Sequence, residues 1–198
     1  MKHHIKRNIR IARYVFYKET IIDKTDIIWT FLGAFVGIGL IGFINSHYFT
    51  INDNLFLIGS FGATAVLVYG ATNSPLAQPR NLVGGHLISA FIGVALHKLI
   101  PEEVWLSSAL AVSLSIVMMQ ITKTLHPPGG ATALIANIGS EKIKALGFMY
   151  VLSPVLTGVL ILLIVALVFN NIPKNRSYPA KKPNSKLFQK LFTRRHLS

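Results

Sequence analysis

The residues best suited to chemistry are two copies of one short string and two histidines. The tetrapeptide Gly-Ala-Thr-Ala occurs at 62–65 and again at 130–133. His126 lies just before the second copy, and His86 lies between the two copies. Each copy opens a short apolar run that stands between two longer ones. Such a pair predicts two short helices with hydroxyl groups near their ends.

The residues before the second copy, 127–130, read Pro-Pro-Gly-Gly and indicate a break in the backbone. Proline cannot continue a helix, and a helix restarting at Gly130 or Ala131 would begin with about four unpaired N–H groups. Such an end behaves like roughly half a positive charge and suits a small anion. Ordered water or neighbouring side chains are the alternative caps. The expected substrate-binding residues from the two strings are Ser60, Gly62, Ala63, Thr64, Gly129, Gly130, Ala131 and Thr132.

Other polar residues indicate a pathway or gate beside these strings. A histidine within a transmembrane run is costly, so function is the better expectation for His86. His126 suits proton coupling because histidine titrates near neutral pH. Arg80 could attract anions, although anchoring to lipid phosphates or fixing the topology explains it better than a direct substrate contact does. The residues assigned to the pathway or gate are Gln78, Arg80, Asn81, His86 and His126.

The remaining residue types argue against catalysis. Acidic residues are scarce within the apolar runs, so no carboxylate pair is available for acid–base work or metal binding. Cysteine is absent. We therefore expect no enzyme activity and no cofactor.

The elements that position these residues are apolar. Of the 198 residues, 52% are hydrophobic and 14% are charged, whereas a soluble domain carries about a quarter. Four runs reach the roughly 20 residues that a membrane-spanning helix needs, and two are shorter. The long runs are Ile27–Asn45, Leu82–Leu99, Val104–Thr122 and Ala145–Phe169, and the short ones are Leu55–Ala71 and Pro127–Gly139.

The basic residues predict the orientation. Seven of the twenty Lys and Arg lie in 1–26 and eight in 170–198, which leaves five between them. Basic segments stay in the cytoplasm, so both tails should be cytoplasmic and the number of crossings even. We expect about six crossings, with the second and fifth segments short or broken. Four spans with two re-entrant segments are the alternative.

The paired strings also suggest an internal repeat of three segments, with units at 27–100 and 104–169. Because three is odd, the second unit would cross in the opposite sense. Inverted repeats of this kind are common in transporters, which bind their substrates at interrupted helices. The simpler explanation is that Gly, Ala and Thr let helices pack closely.

The two ends form separate segments. Residues 1–26 are basic and amphipathic, 27–169 form the transmembrane domain, and 170–198 form a basic cytoplasmic tail. Apolar residues at helical spacing in both tails suit helices lying on anionic lipid headgroups, and solvated arms are the alternative. No nucleic-acid-binding motif accompanies the charge.

Three strings closely resemble the HPP family of integral membrane proteins. They are His126–Leu134, Phe61–Leu67 and Ser74–Asn81 continuing to His86 and Ala90, and the resemblance covers about 27–169. It implies a protein of four or more spans, and nitrite transport is associated with some members. It also implies that the shared motif residues lie in 126–132, 62–64 and 78–81 and at position 86.

The sequence therefore predicts a multi-pass protein of a bacterial-type inner membrane that carries a small anion, nitrite first. Two alternatives remain open: a transporter of a neutral or cationic solute, and a non-transporting membrane scaffold. Assembly as a homo-oligomer is possible under each of these.

Overall fold

A computed structural model describes residues 24–48 and 57–180, and this part of the chain is helical, without a strand. In chain order the helices are α1 (Lys24–Tyr48), α2 (Gly59–Ala65), α3 (Pro79–Leu99), α4 (Val104–Ile121), α5 (Pro127–Ile138), α6 (Glu141–Ala145) and α7 (Thr157–Phe169). Helix α2 continues as a π-helical turn, Val66–Gly70, and a second π-helical turn, Val151–Leu156, leads into α7. A 3₁₀ turn, Pro75–Ala77, precedes α3.

Within the described residues, four helices are long and apolar enough to cross a membrane: Lys24–His47, Pro79–Leu99, Val104–Ile121 and Val151–Phe169. The expected shortness of the second and fifth segments is confirmed. Gly59–Gly70 and α5 each cover about 18 Å, against roughly 30 Å of hydrocarbon. The described residues thus contain four helices of spanning length and two shorter apolar segments, in agreement with six segments of which the second and fifth are short.

The six segments nevertheless alternate in direction. Arg176, after α7, forms an ion pair with Asp26 at the start of α1, with 2.7 Å between Nε and Oδ1. The same arginine donates to the Tyr69 carbonyl at the end of the second segment. Residues 70–74 border the same groove as Asp26 and Arg176. We call this side of the bundle the Asp26 end.

The loop from α4 to α5 also lies at the Asp26 end. Arg80, at the start of α3, donates to the Thr122 carbonyl, and Asn81 donates to the Leu125 carbonyl. At the opposite end of the bundle, Gly147 lies near the side chain of Lys98. The chain therefore passes between the two ends six times, although only four of the passages are helices of full length.

The final apolar run is broken, which the sequence reading did not anticipate. Residues 146–148 form a turn after α6, and Ser153 has extended backbone angles just before Pro154. Proline lacks the N–H that a helix interior needs, so a continuous helix ends there. The spanning helix begins only at Val151.

The helices pack closely where small residues face one another. A Cβ atom added to Gly93 on α3 would lie 2.6 Å from the Ala133 carbonyl oxygen on α5. Large apolar side chains instead cover the outside of the long helices, including Phe31 at 64% exposure and Trp105 at 71%. An apolar exterior of this kind suits contact with lipid chains.

The first residues after α7 pack back against the Asp26 end. Tyr178 is buried, and its hydroxyl donates to the Ala77 carbonyl over 2.7 Å. Burial raises the pKa of Tyr178, which keeps this hydroxyl protonated and able to donate. Residues 170–180 are thus part of the folded bundle. The amphipathic patterns predicted in 1–23 and 181–198 lie outside the described residues.

Candidate functional site

The two repeated threonines meet at one histidine. His86 Nε2 lies 2.7 Å from the Thr64 hydroxyl, and His86 Nδ1 lies 2.7 Å from the Thr132 hydroxyl. Thr64 lies on α2, His86 on α3 and Thr132 on α5. One imidazole therefore joins the two short helices across a spanning helix.

The second histidine extends this contact towards the Asp26 end. His126 Nε2 lies 3.3 Å from the Thr64 hydroxyl, and His126 Nδ1 lies 2.8 Å from the Leu76 carbonyl oxygen. The two imidazole centroids are 4.9 Å apart. We call these four side chains the His–Thr chain: Thr132, His86, Thr64 and His126.

The His–Thr chain is completely enclosed, since all four of its side chains have an exposed fraction of 0%. Phe61 packs edge-on against His86, with 5.9 Å between the ring centroids. Tyr150 donates its hydroxyl proton to the Thr132 carbonyl. Burial makes each hydrogen bond more valuable, because an unpaired polar group away from water costs about 1–3 kcal/mol.

Glycines let the second short helix approach α3. A Cβ atom at Gly129 would lie 2.8 Å from Ser89 Oγ and 2.9 Å from the Gly85 carbonyl oxygen. A Cβ atom at Gly85 would press on the Cβ of His126, at 2.5 Å. These two positions therefore set the distance between α3 and α5, and with it the contact from His86 to Thr132.

The start of α5 differs from the expectation. The helix begins at Pro127, not at Gly130 or Ala131, because proline fits the first helical position, where no N–H is required. Pro127 and Pro128 have no N–H, and Gly129 donates to the His126 carbonyl. The first turn of α5 therefore has no spare backbone donor among these three residues.

The other residues of the two strings face elsewhere. Gly62 and Ala63 are exposed, and Gly130 and Ala131 are partly exposed on the outer side of α5. Ser60 is buried, and its hydroxyl oxygen has no hydrogen-bond partner in the described structure. Its carbonyl is the alternative acceptor for the Thr64 hydroxyl, at 2.9 Å. Of the predicted binding residues, only Thr64 and Thr132 contact a histidine through their side chains.

The other predicted pathway residues, Gln78, Arg80 and Asn81, form hydrogen bonds to loop residues. Arg80 is exposed and Asn81 partly exposed, and both bind the α4–α5 loop. The Gln78 side chain donates to the Ser74 and Thr72 carbonyls and accepts from the Ala180 N–H. None of these contacts reaches the His–Thr chain. They hold the two loops on either side of His126.

Sequence reasoning missed the Leu76 carbonyl, Phe61 and Tyr150 as neighbours of the site. Every residue has a backbone carbonyl, so the residue type does not reveal which carbonyl accepts the bond. Phe61 and Tyr150 look like ordinary core residues of apolar runs. The nearest signal was the string at 74–81, which the resemblance had already singled out.

Known proteins resemble this chain over the same region. The family model described as "HPP, transmembrane region" matches residues 19–179. One transmembrane protein of Dictyostelium discoideum is 44% identical over 160 residues, which is 79% of this chain and 51% of the relative. Another from the same organism is 46% identical over 165 residues, or 82% of this chain and 58% of the relative.

The chain thus spans little more than half the length of these two curated relatives. No solved structure matches it. The matched region contains the whole described bundle, including both short helices and both histidines. The family match and the four apolar helices of spanning length agree on a multi-pass membrane protein, and the chain belongs to the HPP transmembrane family.

Proposed function

We propose that this chain is a membrane transporter or channel for a small inorganic anion, with nitrite the first substrate to test, and that it has no enzymatic activity. The substrate site lies where the two short helices meet at His86. The main observation in support of this proposal is the pair of 2.7 Å contacts from His86 to Thr64 and Thr132. Equivalent residues of two repeated strings converge on one buried polar group, which is costly to maintain unless it is used.

The pairing of the helices fits the expected inverted repeat and supports this proposal. Helix α1 packs against α7, and α3 packs against α4, so the first segment of each three-segment unit pairs with the last segment of the other. The two short helices also contact each other. The Thr64 and Thr132 hydroxyls each lie near the carbonyl four residues earlier. Transporters with this plan bind their substrates at the interrupted segments.

The expected binding of an anion at the N-terminus of α5 is not supported by the geometry of that helix. The first turn of α5 offers too few free N–H groups to hold an anion by the helix end. The donors within reach of the junction are the Thr64 and Thr132 hydroxyls and the imidazole N–H of His86. Small anions accept hydrogen bonds readily from such groups, and bonds to a charged partner are roughly twice as strong as neutral ones.

Charge at the two ends supports an orientation. Lys24, Arg80, Lys123, Lys174 and Arg176 lie at or next to the Asp26 end. Acidic and basic residues are mixed in 98–103 and 141–144. We propose that the Asp26 end faces the cytoplasm of a bacterial-type inner membrane, as the bias in Lys and Arg suggests. Both termini would then be cytoplasmic, with the basic tails near anionic headgroups.

A neutral solute is the second candidate. Its support is that the fully buried polar residues of the described chain include no Lys or Arg. A neutral hydroxylated solute could exchange hydrogen bonds with the same threonines without any charge compensation. If a neutral solute is the substrate, other neutral solutes should compete for uptake; if an anion is the substrate, similar anions should compete.

The test is uptake into proteoliposomes that hold the purified protein. Labelled nitrite is presented alone and with an excess of nitrate, chloride or a neutral solute. Saturable uptake that is blocked only by similar anions supports the anion proposal. Uptake of the neutral solute without nitrite uptake transfers the assignment to the second candidate. No uptake of either, by protein that is shown to be folded, contradicts transport.

A further inference from the structure

The hydrogen bonds of the His–Thr chain run in one direction when the Thr64 hydroxyl faces His126. The Leu76 carbonyl can only accept, so the facing Nδ1 of His126 must carry a proton. In a neutral His126, Nε2 is then unprotonated, and its lone pair faces the Thr64 hydroxyl oxygen at 3.3 Å. The tautomer of His126 is thus set by a backbone group on another segment.

The donors and acceptors at His86 follow from the same rule. When Thr64 donates to His126, its oxygen accepts from His86 Nε2, which therefore carries a proton. The Nδ1 of a neutral His86 is then the acceptor for the Thr132 hydroxyl. All four bonds point from Thr132 towards Leu76. A continuous one-way series of O–H and N–H donors is the arrangement that a proton relay needs.

Two links in the series can open and close, and at one of them the Thr132 hydroxyl lies 3.3 Å from the Pro128 carbonyl oxygen as well as 2.7 Å from His86 Nδ1. The Thr64 hydroxyl has two acceptors, the Ser60 carbonyl at 2.9 Å and His126 Nε2 at 3.3 Å. Rotation about one bond moves its proton between them. The series is complete only when Thr64 turns towards His126.

We propose that the protein moves one proton with each anion, in the same direction, along the His–Thr chain. This inference rests on the anion transport proposed above and names its coupling ion. A proton binds Nδ1 of His86 while the Nε2 proton of His86 passes to Thr64. Thr64 gives its own hydroxyl proton to Nε2 of His126, and His126 releases its Nδ1 proton when the contact with Leu76 opens. One proton enters and one leaves, and every group regains its charge. Both imidazoles end as the opposite tautomer, so both tautomers are reset before the next proton passes.

The charge of the interior supports the coupling. No Asp, Glu, Lys or Arg is among the fully buried residues of the described bundle. Of the tyrosines around the chain, Tyr150 on the α6–α7 turn donates to Thr132, Tyr178 to Ala77 and Tyr69 on the second segment to Leu162. Helix α4 contributes uncharged Ser115 and Met119. A proton on His86 or His126 is therefore the positive charge that this interior can supply to a passing anion, and a bare charge there is costly.

The experiment uses full-length protein in vesicles that also hold a pH-sensitive dye, with the membrane potential clamped at zero. Nitrite uptake and internal pH are followed together. Because nitrous acid crosses lipid unaided, rates are taken after subtraction of protein-free vesicles. We expect an inward nitrite gradient to acidify the interior. An inside-alkaline gradient should raise the initial rate of protein-dependent nitrite uptake, measured after that subtraction.

Variants locate the path. His126→Asn keeps a donor for the Leu76 carbonyl but cannot relay a proton, and we expect it to lose proton movement at least tenfold. His47→Gln, at the exposed end of α1, is the matched control and should retain both fluxes. Saturable nitrite uptake that ignores the pH gradient and moves no proton would overturn the coupling and leave anion transport intact. Proton-linked uptake that is unchanged in His126→Asn would overturn the assigned path. No nitrite uptake at all would instead remove the proposed function.

Discussion

The Nδ1 atom of His126 lies 2.8 Å from the backbone carbonyl oxygen of Leu76. This contact connects the buried histidines to the 3₁₀ turn at 75–77. The next carbonyl of that turn, Ala77, accepts from Tyr178 over 2.7 Å. The turn is therefore held from inside by the His–Thr chain and from outside by the segment after α7. Movement of this turn would open the chain towards the Asp26 end.

Close packing between α3 and α5 should be sensitive to a single methyl group. We expect Gly93→Ala to destabilise the protein by about 1–3 kcal/mol, because the new Cβ would press on the backbone of Ala133. Thermal unfolding in detergent measures this as a lower melting temperature. Gly39→Ala is the matched control, since a Cβ there meets nothing within 4 Å. Equal melting temperatures for the two variants would contradict the packing of α3 on α5.

The ion pair between Asp26 and Arg176 should join the two ends of the chain energetically. The Arg176 side chain is 8% exposed, so loss of one partner leaves a largely buried charge unpaired. We expect Asp26→Asn and Arg176→Gln each to lower stability. A double-mutant cycle should give a coupling of about 0.5–3 kcal/mol. Purely additive effects would show that the ends are not coupled in solution.

The alternating path of the six segments predicts where loop tags appear. A reporter inserted at residue 75 should lie on the same side of the membrane as both termini, and one at residue 102 on the opposite side. The physical reason is that residues 70–74 share the Asp26 end with Arg176. Reversed positions would support four spans with two re-entrant segments and would contradict the bundle described above.

Removal of the basic tail should separate transport from scaffolding. Deletion of 181–198 leaves Arg176 and Tyr178 in place, so the bundle should still fold. We expect nitrite uptake by the truncated protein to stay within about twofold of the full chain, because the contacts that hold residues 176–178 against the bundle are retained. Loss of a cellular function with uptake unchanged would instead indicate that the tail binds a partner.

Much of the bundle follows from residue type alone. The long runs predict spanning helices because an apolar stretch of about 20 residues has few other stable states in lipid. The lengths of the apolar runs correctly predicted that the segments holding Thr64 and Thr132 are short. The early start of α5 at Pro127 was also readable, since proline favours the first position of a helix.

The remaining features depend on contacts that a sequence does not mark. The break at Pro154 lies within an apolar run, and the high hydropathy of that run favoured one continuous spanning helix. The Leu76 carbonyl is a backbone atom, and any residue there would supply one. Asp26 and Arg176 are 150 positions apart, so no local spacing connects them. His86 was singled out for its cost in a membrane, but only the three-dimensional structure places it between the two threonines.

The most direct test of the account is nitrite uptake by the double variant Thr64→Val, Thr132→Val. Valine keeps the shape and removes both hydroxyls that meet His86. The loss of a buried hydrogen-bond partner costs about 1–3 kcal/mol, so we expect uptake to fall roughly tenfold or more while the protein still inserts and folds. Thr157→Val is the control, because that hydroxyl bonds to the Pro154 carbonyl three residues earlier, away from the histidines, and uptake should be unchanged. Wild-type uptake by the folded double variant would contradict a site at the junction of the two short helices.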